Sequence, residues 1–449
     1  SVKIKSKSIG GWSISHSDWE SSAGGESAFA AFDPDNPRYV MGGVYLGYIE
    51  LLDTESMGST NIMAAPNQWL GREARDMEYL FNWNAPIIHS IHEKGTYFHC
   101  ANKVLKTTDM GKSWTEFSPD LTRDIDEKQG NGGAPYTNEA VGAENYGTIA
   151  YMIESPHEKG VYYTGSDDGF VQITRDNGQS WQNITPKGIG ETLINAIDVS
   201  PHDPATAYVA TTKYKFNDYT PAIYKTTDYG KTWKNISSGI PYGAYTRVVR
   251  EDQTRKDLLY AGTETGIYVS WNGGQSWEPL QLNMPVTPIT DLKVHQGDLV
   301  VATSGRGFWI LDDLGLLNQF NNNSDAVQLY EPESALDAVW GSQLSSNNPN
   351  FDGTNSFEGV NPANGIVIYY KLPKLDDKTN VTLEIRNSEN ELVNTMSSQK
   401  NKDYRRWDGG PPPASTLSKK EGLNRFVWDM RYPIMTGIPE TYIEASFRG

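Results

Sequence analysis

Along this chain, short apolar runs alternate with turns rich in Pro, Asp, Asn, Gly and Ser, a pattern that predicts strands. One stretch shows the unit clearly. Ile194-Asn195-Ala196-Ile197-Asp198-Val199 is followed by Ala207-Tyr208-Val209-Ala210, then Ala222-Ile223-Tyr224-Lys225, then Trp233-Lys234-Asn235-Ile236. Four short strands in succession predict one antiparallel sheet. The turn after the first strand recurs at Asp33-Pro34-Asp35-Asn36-Pro37, Ile91-His92-Glu93-Lys94-Gly95, Ser155-Pro156-His157-Glu158, Ser200-Pro201-His202-Asp203-Pro204, Arg250-Glu251-Asp252-Gln253 and Val294-His295-Gln296-Gly297. Six sheets are therefore readable, and the repetition predicts a propeller. A seventh is expected if Gly10-Gly11-Trp12-Ser13-Ile14 or Val327-Gln328-Leu329-Tyr330 does more than close the ring.

Before the fourth strand, four of these units carry one octapeptide: Thr107 to Trp114, Thr174 to Trp181, Thr226 to Trp233 and Ser270 to Trp277. Its restricted positions are a hydroxyl residue, Asp or Asn, Gly, a second hydroxyl residue and Trp. The carboxylate or amide of Asp109, Asp176, Asp228 or Asn272 is suited to accept backbone N–H bonds and close the turn. Gly supplies a positive φ, and Trp buries a large ring between neighbouring sheets. These four acidic or amide residues are assigned a structural role. The spacings between copies are 67, 52 and 44 residues, so the longer intervals hold extra loop.

The octapeptide resembles the Asp-box of the Asp-box (BNR-repeat) β-propellers, which include sialidases, xyloglucanase-type hydrolases and sortilin-type receptors. Residues from about 27 to 430 resemble one lineage of exported, mostly bacterial members, described as sortilin-like or glycosyl-hydrolase-like. The resemblance is carried by Phe81-Asn82-Trp83-Asn84-Ala85-Pro86, Gly165-Ser166-Asp167-Asp168-Gly169, Gly305-Arg306-Gly307-Phe308-Trp309 and Gly422-Leu423-Asn424-Arg425-Phe426-Val427-Trp428, among others. It implies an exported, periplasmic or cell-surface protein. It also implies that this chain is the C-terminal part of a longer one, with further propeller sequence as its partner.

The expected fold class is all-β. Residues 1–317 are read as the propeller and 318–364, rich in Asn, Ser and Gly, as an irregular linker. Residues 365–449 are read as a partial β-sandwich of the immunoglobulin or fibronectin kind, with strands at Gly365 to Leu372, Val381 to Arg386 and Phe426 to Met430.

A net charge of −17 disfavours nucleic acid and anionic membranes as partners. It leaves neutral glycans, proteins or cations. The single cysteine, Cys100, excludes an intrachain disulfide. No apolar run reaches the roughly 18 residues of a membrane span. The seven histidines form no metal-binding pattern, so neither a metal nor a cofactor is expected.

Candidate chemistry lies in the loops between second and third strands and between sheets, which share one face of a propeller. The 67-residue spacing puts a long loop there, including Arg123, Tyr136, Glu144 and Tyr146. Glycoside hydrolysis needs two carboxylates, one protonated. Glu144, Asp168 and Glu264 are the candidates, and each also suits a plain turn. Arg306, Tyr136, Tyr146, Asp167, Asp218 and Tyr219 are the ligand-binding candidates, with Arg306 expected to pair with Asp312 or Asp313. The arginines of a sialidase are lacking. Two functions follow. One is a binding module holding a protein or polysaccharide at the loop face, within a cell-surface assembly. The alternative is a xyloglucanase-like glycoside hydrolase. Carboxylates tied to local backbone favour the first; a convergent pair with one raised pKa favours the second.

Overall fold

The structure is a computed structural model. It describes residues 1–6, 14, 16–67, 71–130, 145–320, 326–335, 363, 365–407, 410, 412–433, 438 and 440–441. The chain divides into two units: Ser1–Ser6 with Ser17–Leu311, and Asp312–Gly449 with Lys7–His16. The expected boundary at residue 317 falls inside a short helix, Gly315–Gln319.

In the first unit, antiparallel sheets follow one another along the chain, each with its strands in sequence order. Sheet one comprises Ala30–Asp33, Asn36–Gly43, Ile49–Asp53 and Gly58–Asn61. Sheet two comprises Ile87–His89, Tyr97–Cys100, Val104–Thr107 and Thr115–Glu116. Sheet three runs through Ile149–Glu154, Tyr162–Ser166, Val171–Thr174 and Gln182–Asn183. Sheet four runs through Leu193–Val199, Ala207–Lys213, Asp218–Thr226 and Lys234–Asn235. Sheet five has Thr246–Glu251, Leu259–Thr263, Ile267–Ser270 and Glu278–Pro279. Sheet six has three described strands, Ile289–His295, Asp298–Thr303 and Phe308–Leu311.

The first strands converge on a centre. Arg250, in the first strand of sheet five, donates to the Tyr151 hydroxyl of sheet three at 2.8 Å and to Asp291 of sheet six at 2.9 Å. Phe29, entering sheet one, meets the Tyr151 ring edge-on at 6.1 Å. First strands gathered around one axis, with the rest of each meander extending outward, are the arrangement of a β-propeller. The first strands of sheets three to six each carry a register shift near their start, at Ile149/Tyr151, Ile194/Ala196, Thr246/Val248 and Ile289/Asp291. A bulge re-aims the following side chain, here Tyr151 and Asp291, towards Arg250.

Between the sheets the core is continuous. Val171, Ile173 and Ile184 of sheet three pack with Ile194, Ile197 and Val209 of sheet four. The octapeptide turns add the outer fastening. In the third copy the Thr226 hydroxyl accepts the Gly230 N–H at 2.9 Å, Asp228 accepts the Thr232 N–H at 2.9 Å, and the Thr232 hydroxyl donates to Asp228 at 2.6 Å. The Trp233 indole then donates to the Ile184 carbonyl of the preceding sheet at 2.6 Å. Trp114 reaches Ile62 and Trp277 reaches Ile236 in the same way, at 2.7 and 2.6 Å. Gly230 has φ +82°, and a Cβ there would lie 2.5 Å from Ile184. Both the backbone and the neighbouring sheet require glycine.

Histidines hold the first turns together. His92, His157 and His202 each place Nε2 at 2.9, 2.8 and 2.8 Å from the carbonyl of Ser155, Ser200 and Asp252 in the next sheet.

The second unit has strands Gln328–Leu329, Ile366–Leu372 and Gly422–Trp428 in one sheet and a hairpin, Thr382–Arg386 with Leu392–Ser397. Tyr370, Leu372, Met396 and Leu417 form its core. Gln328–Leu329, inside the segment 318–364 expected to be an irregular linker, forms a strand because it pairs with Lys371 and Tyr370.

Candidate functional site

The octapeptide turns share an end of the propeller with the first turns: the Asn177 N–H bonds Gly160 O, and the Gly273 N–H bonds Asp257 O. The remaining loops therefore lie at the opposite end, where the candidates were sought. Two groups of side chains are built there.

The first group surrounds the start of the long loop. Asp167 and Asp168 follow the second strand of sheet three in a turn closed by Gly169, φ +99°. Asp167 accepts the Gly147 and Thr148 N–H groups at 3.1 and 2.9 Å and the Thr148 hydroxyl at 3.0 Å. Burial, then the neighbouring Asp168, push its pKa up to about 7 in spite of these bonds. Asp168, wholly buried, accepts the Ser166 hydroxyl at 2.5 Å and the Arg123 N–H at 2.7 Å. Burial raises its pKa too, against the pull of Ser166 and Arg123. The Arg123 guanidinium bonds the carbonyls of Asp168 and Gly190 and lies 4.3 Å over the Phe170 ring. Tyr146 is buried, and its hydroxyl donates to Glu191, which also holds the Lys128 ammonium. Burial pushes the Glu191 carboxyl up, but Lys128 and Tyr146 outweigh it and the net shift is downward.

The second group lies on sheets four and five. Glu264 holds Arg247 through two bonds to one oxygen, at 2.9 and 2.6 Å. Arg247 also donates to the Tyr245 hydroxyl at 3.2 Å. The Tyr245 ring stacks on Tyr214 at 5.6 Å, and Tyr219 packs against Tyr245 and, edge-on, against Tyr242. The Tyr219 carbonyl takes the Gly243 N–H, which ties the two loops together. Tyr242 is 69% exposed, Phe216 43% and Tyr219 36%. Asp218 accepts the Thr220 N–H at 3.0 Å, a bond that with the Thr220 hydroxyl lowers its pKa.

Thus Asp167, Asp168 and Tyr146 come together, while Glu264 and Tyr219 belong to a different group and Asp218 caps its own turn. Glu144 and Tyr136 lie outside the described residues. Arg306 does not follow expectation. It is exposed, and among the described residues no carboxylate pairs with it. Its turn folds on itself instead: the Arg306 N–H bonds Thr303, and the Trp309 indole donates to the Arg306 carbonyl. Arg247, Lys128 and Glu191 were not singled out in the sequence. Arg247 is the one with a signal: a cation at a strand start, followed by two valines. Among the described residues no cluster of three metal-ligating side chains occurs, and no helix is long and apolar enough to cross a membrane.

No family model matches the chain, and no curated protein sequence does. Solved structures similar to it include the GH74 xyloglucanase from Xanthomonas campestris, at 17% identity and TM-score 0.45, covering 64% of this chain and 44% of that one. A GH74 enzyme of Niastella koreensis is similar at 15% identity and TM-score 0.45, covering 70% and 53%. YCF48 bound to a D1 peptide is similar at 13% identity and TM-score 0.40, covering 70% and 83%. The chain spans about half the length of the two GH74 enzymes.

Proposed function

We propose that this chain is an exported binding module of the Asp-box propeller kind, which holds a protein or polysaccharide ligand at its loop face within a cell-surface assembly. The carrying observation is a contrast. The described candidate carboxylates Asp167, Asp168 and Glu264 are all engaged by neighbours, at 2.5–3.1 Å. Tyr242 and Tyr219, packed beside the buried Tyr245 next to Glu264, present exposed rings. Clustered rings on tied loops suit a sugar face or an apolar peptide side chain and lose little entropy on binding. The Glu264–Arg247 pair fixes the platform from behind. The test is binding of the whole chain to immobilised plant, algal and host glycans and to surface-protein peptides, beside Tyr242→Ala and Tyr219→Ala. Loss of about tenfold or more in affinity for the selected ligand supports this reading. Unchanged affinity in both variants moves the site elsewhere.

One observation favours the hydrolase alternative. Asp167, with its pKa raised to about 7, is an acid that holds a proton close to neutral pH, as a general acid must. Reducing-end release from the same glycans, abolished by Asp167→Asn, would establish that activity. Absence of release leaves the binding module.

A further inference from the structure

Sheet six ends one strand short. Its third strand, Phe308–Leu311, has no fourth strand beside it among the described residues, whereas sheets one to five all have one. In sheets two to five that fourth strand is one recurring tetrapeptide. Trp114, Trp181, Trp233 and Trp277 are each followed by two exposed strand residues and then by Phe117, Ile184, Ile236 or Leu280.

The last residue of each tetrapeptide forms the socket for the next sheet's tryptophan. Ile184 and Ile236 donate their N–H to Val171 and Ile223, at 2.9 and 2.8 Å, and offer their carbonyls to Trp233 and Trp277. Leu280 has the same place in sheet five, with its N–H on the Ile267 carbonyl at 2.8 Å. No indole reaches the Leu280 carbonyl among the described residues. A shallow open depression lies there instead, lined by Leu280, Leu282, Met284, Val301, Trp309 and Leu311.

The register explains the vacancy. Leu311 pairs with Leu299 as Ser270 pairs with Leu259, and as Thr226 pairs with Ala207. Leucine therefore stands where the octapeptide needs a hydroxyl to accept the glycine N–H. The turn cannot form, and the chain leaves sheet six without making a fourth strand among the described residues.

We propose that this open edge and socket receive an extended peptide segment from outside residues 1–449, of the form Trp-x-x-apolar, as the fourth strand of sheet six. Its two central residues pair with Ile310 and Trp309. Its Trp enters the depression and donates to the Leu280 carbonyl. Strand addition to an open edge supplies backbone bonds, and the pocket supplies the selectivity. Four occupied copies of the same socket define what fits the fifth. Of the chain's 13 tryptophans, four already open such a tetrapeptide, and Trp114, Trp233 and Trp277 make the carbonyl bond. None of the others is followed three residues later by Val, Leu, Ile, Met or an aromatic residue, which points to a segment outside these 449 residues. This site is on the edge of sheet six and does not depend on the tyrosine platform.

The probe is a fluorescent synthetic peptide with the sequence of Lys231 to Ser237, titrated against the whole chain. Saturable binding is expected, weakened about tenfold or more when Ala replaces the peptide's Trp. Leu282→Arg in the protein, at a position 68% exposed, should weaken it as much without changing the melting temperature. Bound peptide should also slow amide exchange across Phe308–Leu311. No binding, or equal binding of the Ala peptide, overturns the proposal. So does binding that appears only in Trp12→Ala, since the chain's own segment would then be the occupant.

Discussion

The indole N–H of Trp233 donates to the carbonyl of Ile184 across the boundary between sheets four and three, at 2.6 Å. Trp181 makes no such bond among the described residues. Its ring stands edge-on to Phe117 at 6.3 Å, and its buried N–H is unpartnered. Trp233→Phe should therefore cost about 1–2 kcal/mol, a lost hydrogen bond and an orphaned carbonyl. Trp181→Phe should cost clearly less. Urea denaturation of the two variants checks the difference.

Gly230 and Gly188 share a positive φ, +82° and +79°, but differ in surroundings. A methyl group at Gly230 meets Ile184, whereas nothing lies within 4 Å of one at Gly188. Gly188→Ala should cost about 1 kcal/mol of backbone strain. Gly230→Ala adds overpacking of about 1–3 kcal/mol and should melt distinctly earlier in calorimetry.

His99 is fully buried in sheet two, stacked on Phe81 at 4.8 Å, with neither ring nitrogen bonded among the described residues. Burial lowers its pKa to about 3. The unfolded chain takes up a proton near pH 6.5 that the folded chain refuses. This contribution to stability is complete above about pH 6.5 and is lost as pH falls towards 3, by at most about 1.4 kcal/mol per pH unit. His99→Phe should flatten the stability profile in that window.

Asp167 acts in the opposite sense. Its folded pKa of about 7 exceeds the ordinary carboxylate value of 3.8, so the folded chain keeps a proton that the unfolded chain has released. Its contribution is complete below about pH 4 and declines as pH rises to 7. Asp167→Asn, which can still accept the Gly147 and Thr148 N–H groups, should remove that decline. Denaturation at pH 5 and pH 8 reads the change.

The sheets were legible because their signals are local. A hydroxyl residue, Asp, Gly and Trp within eight positions state a turn, and the turn states which strands flank it. The sites were less legible because their partners are remote. Arg250 meets Tyr151 across 99 residues, and Glu191 meets Tyr146 across 45. His157 reads as a turn residue from sequence, yet its ring bonds Ser200 in the next sheet, 43 residues on. Arg306 was misjudged for the converse reason: nearby aspartates suggested a pair, while backbone and indole bonds shape its turn.

Each octapeptide rests on an apolar residue of the sheet before it, and its own strand ends in the same kind of residue for the sheet after. Such wiring has a reading frame. Removing residues 233–276 would join Thr232 to Trp277 and bring Trp277 over Ile184, with Leu280 in the place of Ile236. The junctions on either side of the cut would be unchanged in kind. A whole sheet, counted from one tryptophan to the next, is thus the increment by which the outer tryptophan fastening can lengthen or shorten, although this cut would also take away Arg250 and its bonds to Tyr151 and Asp291.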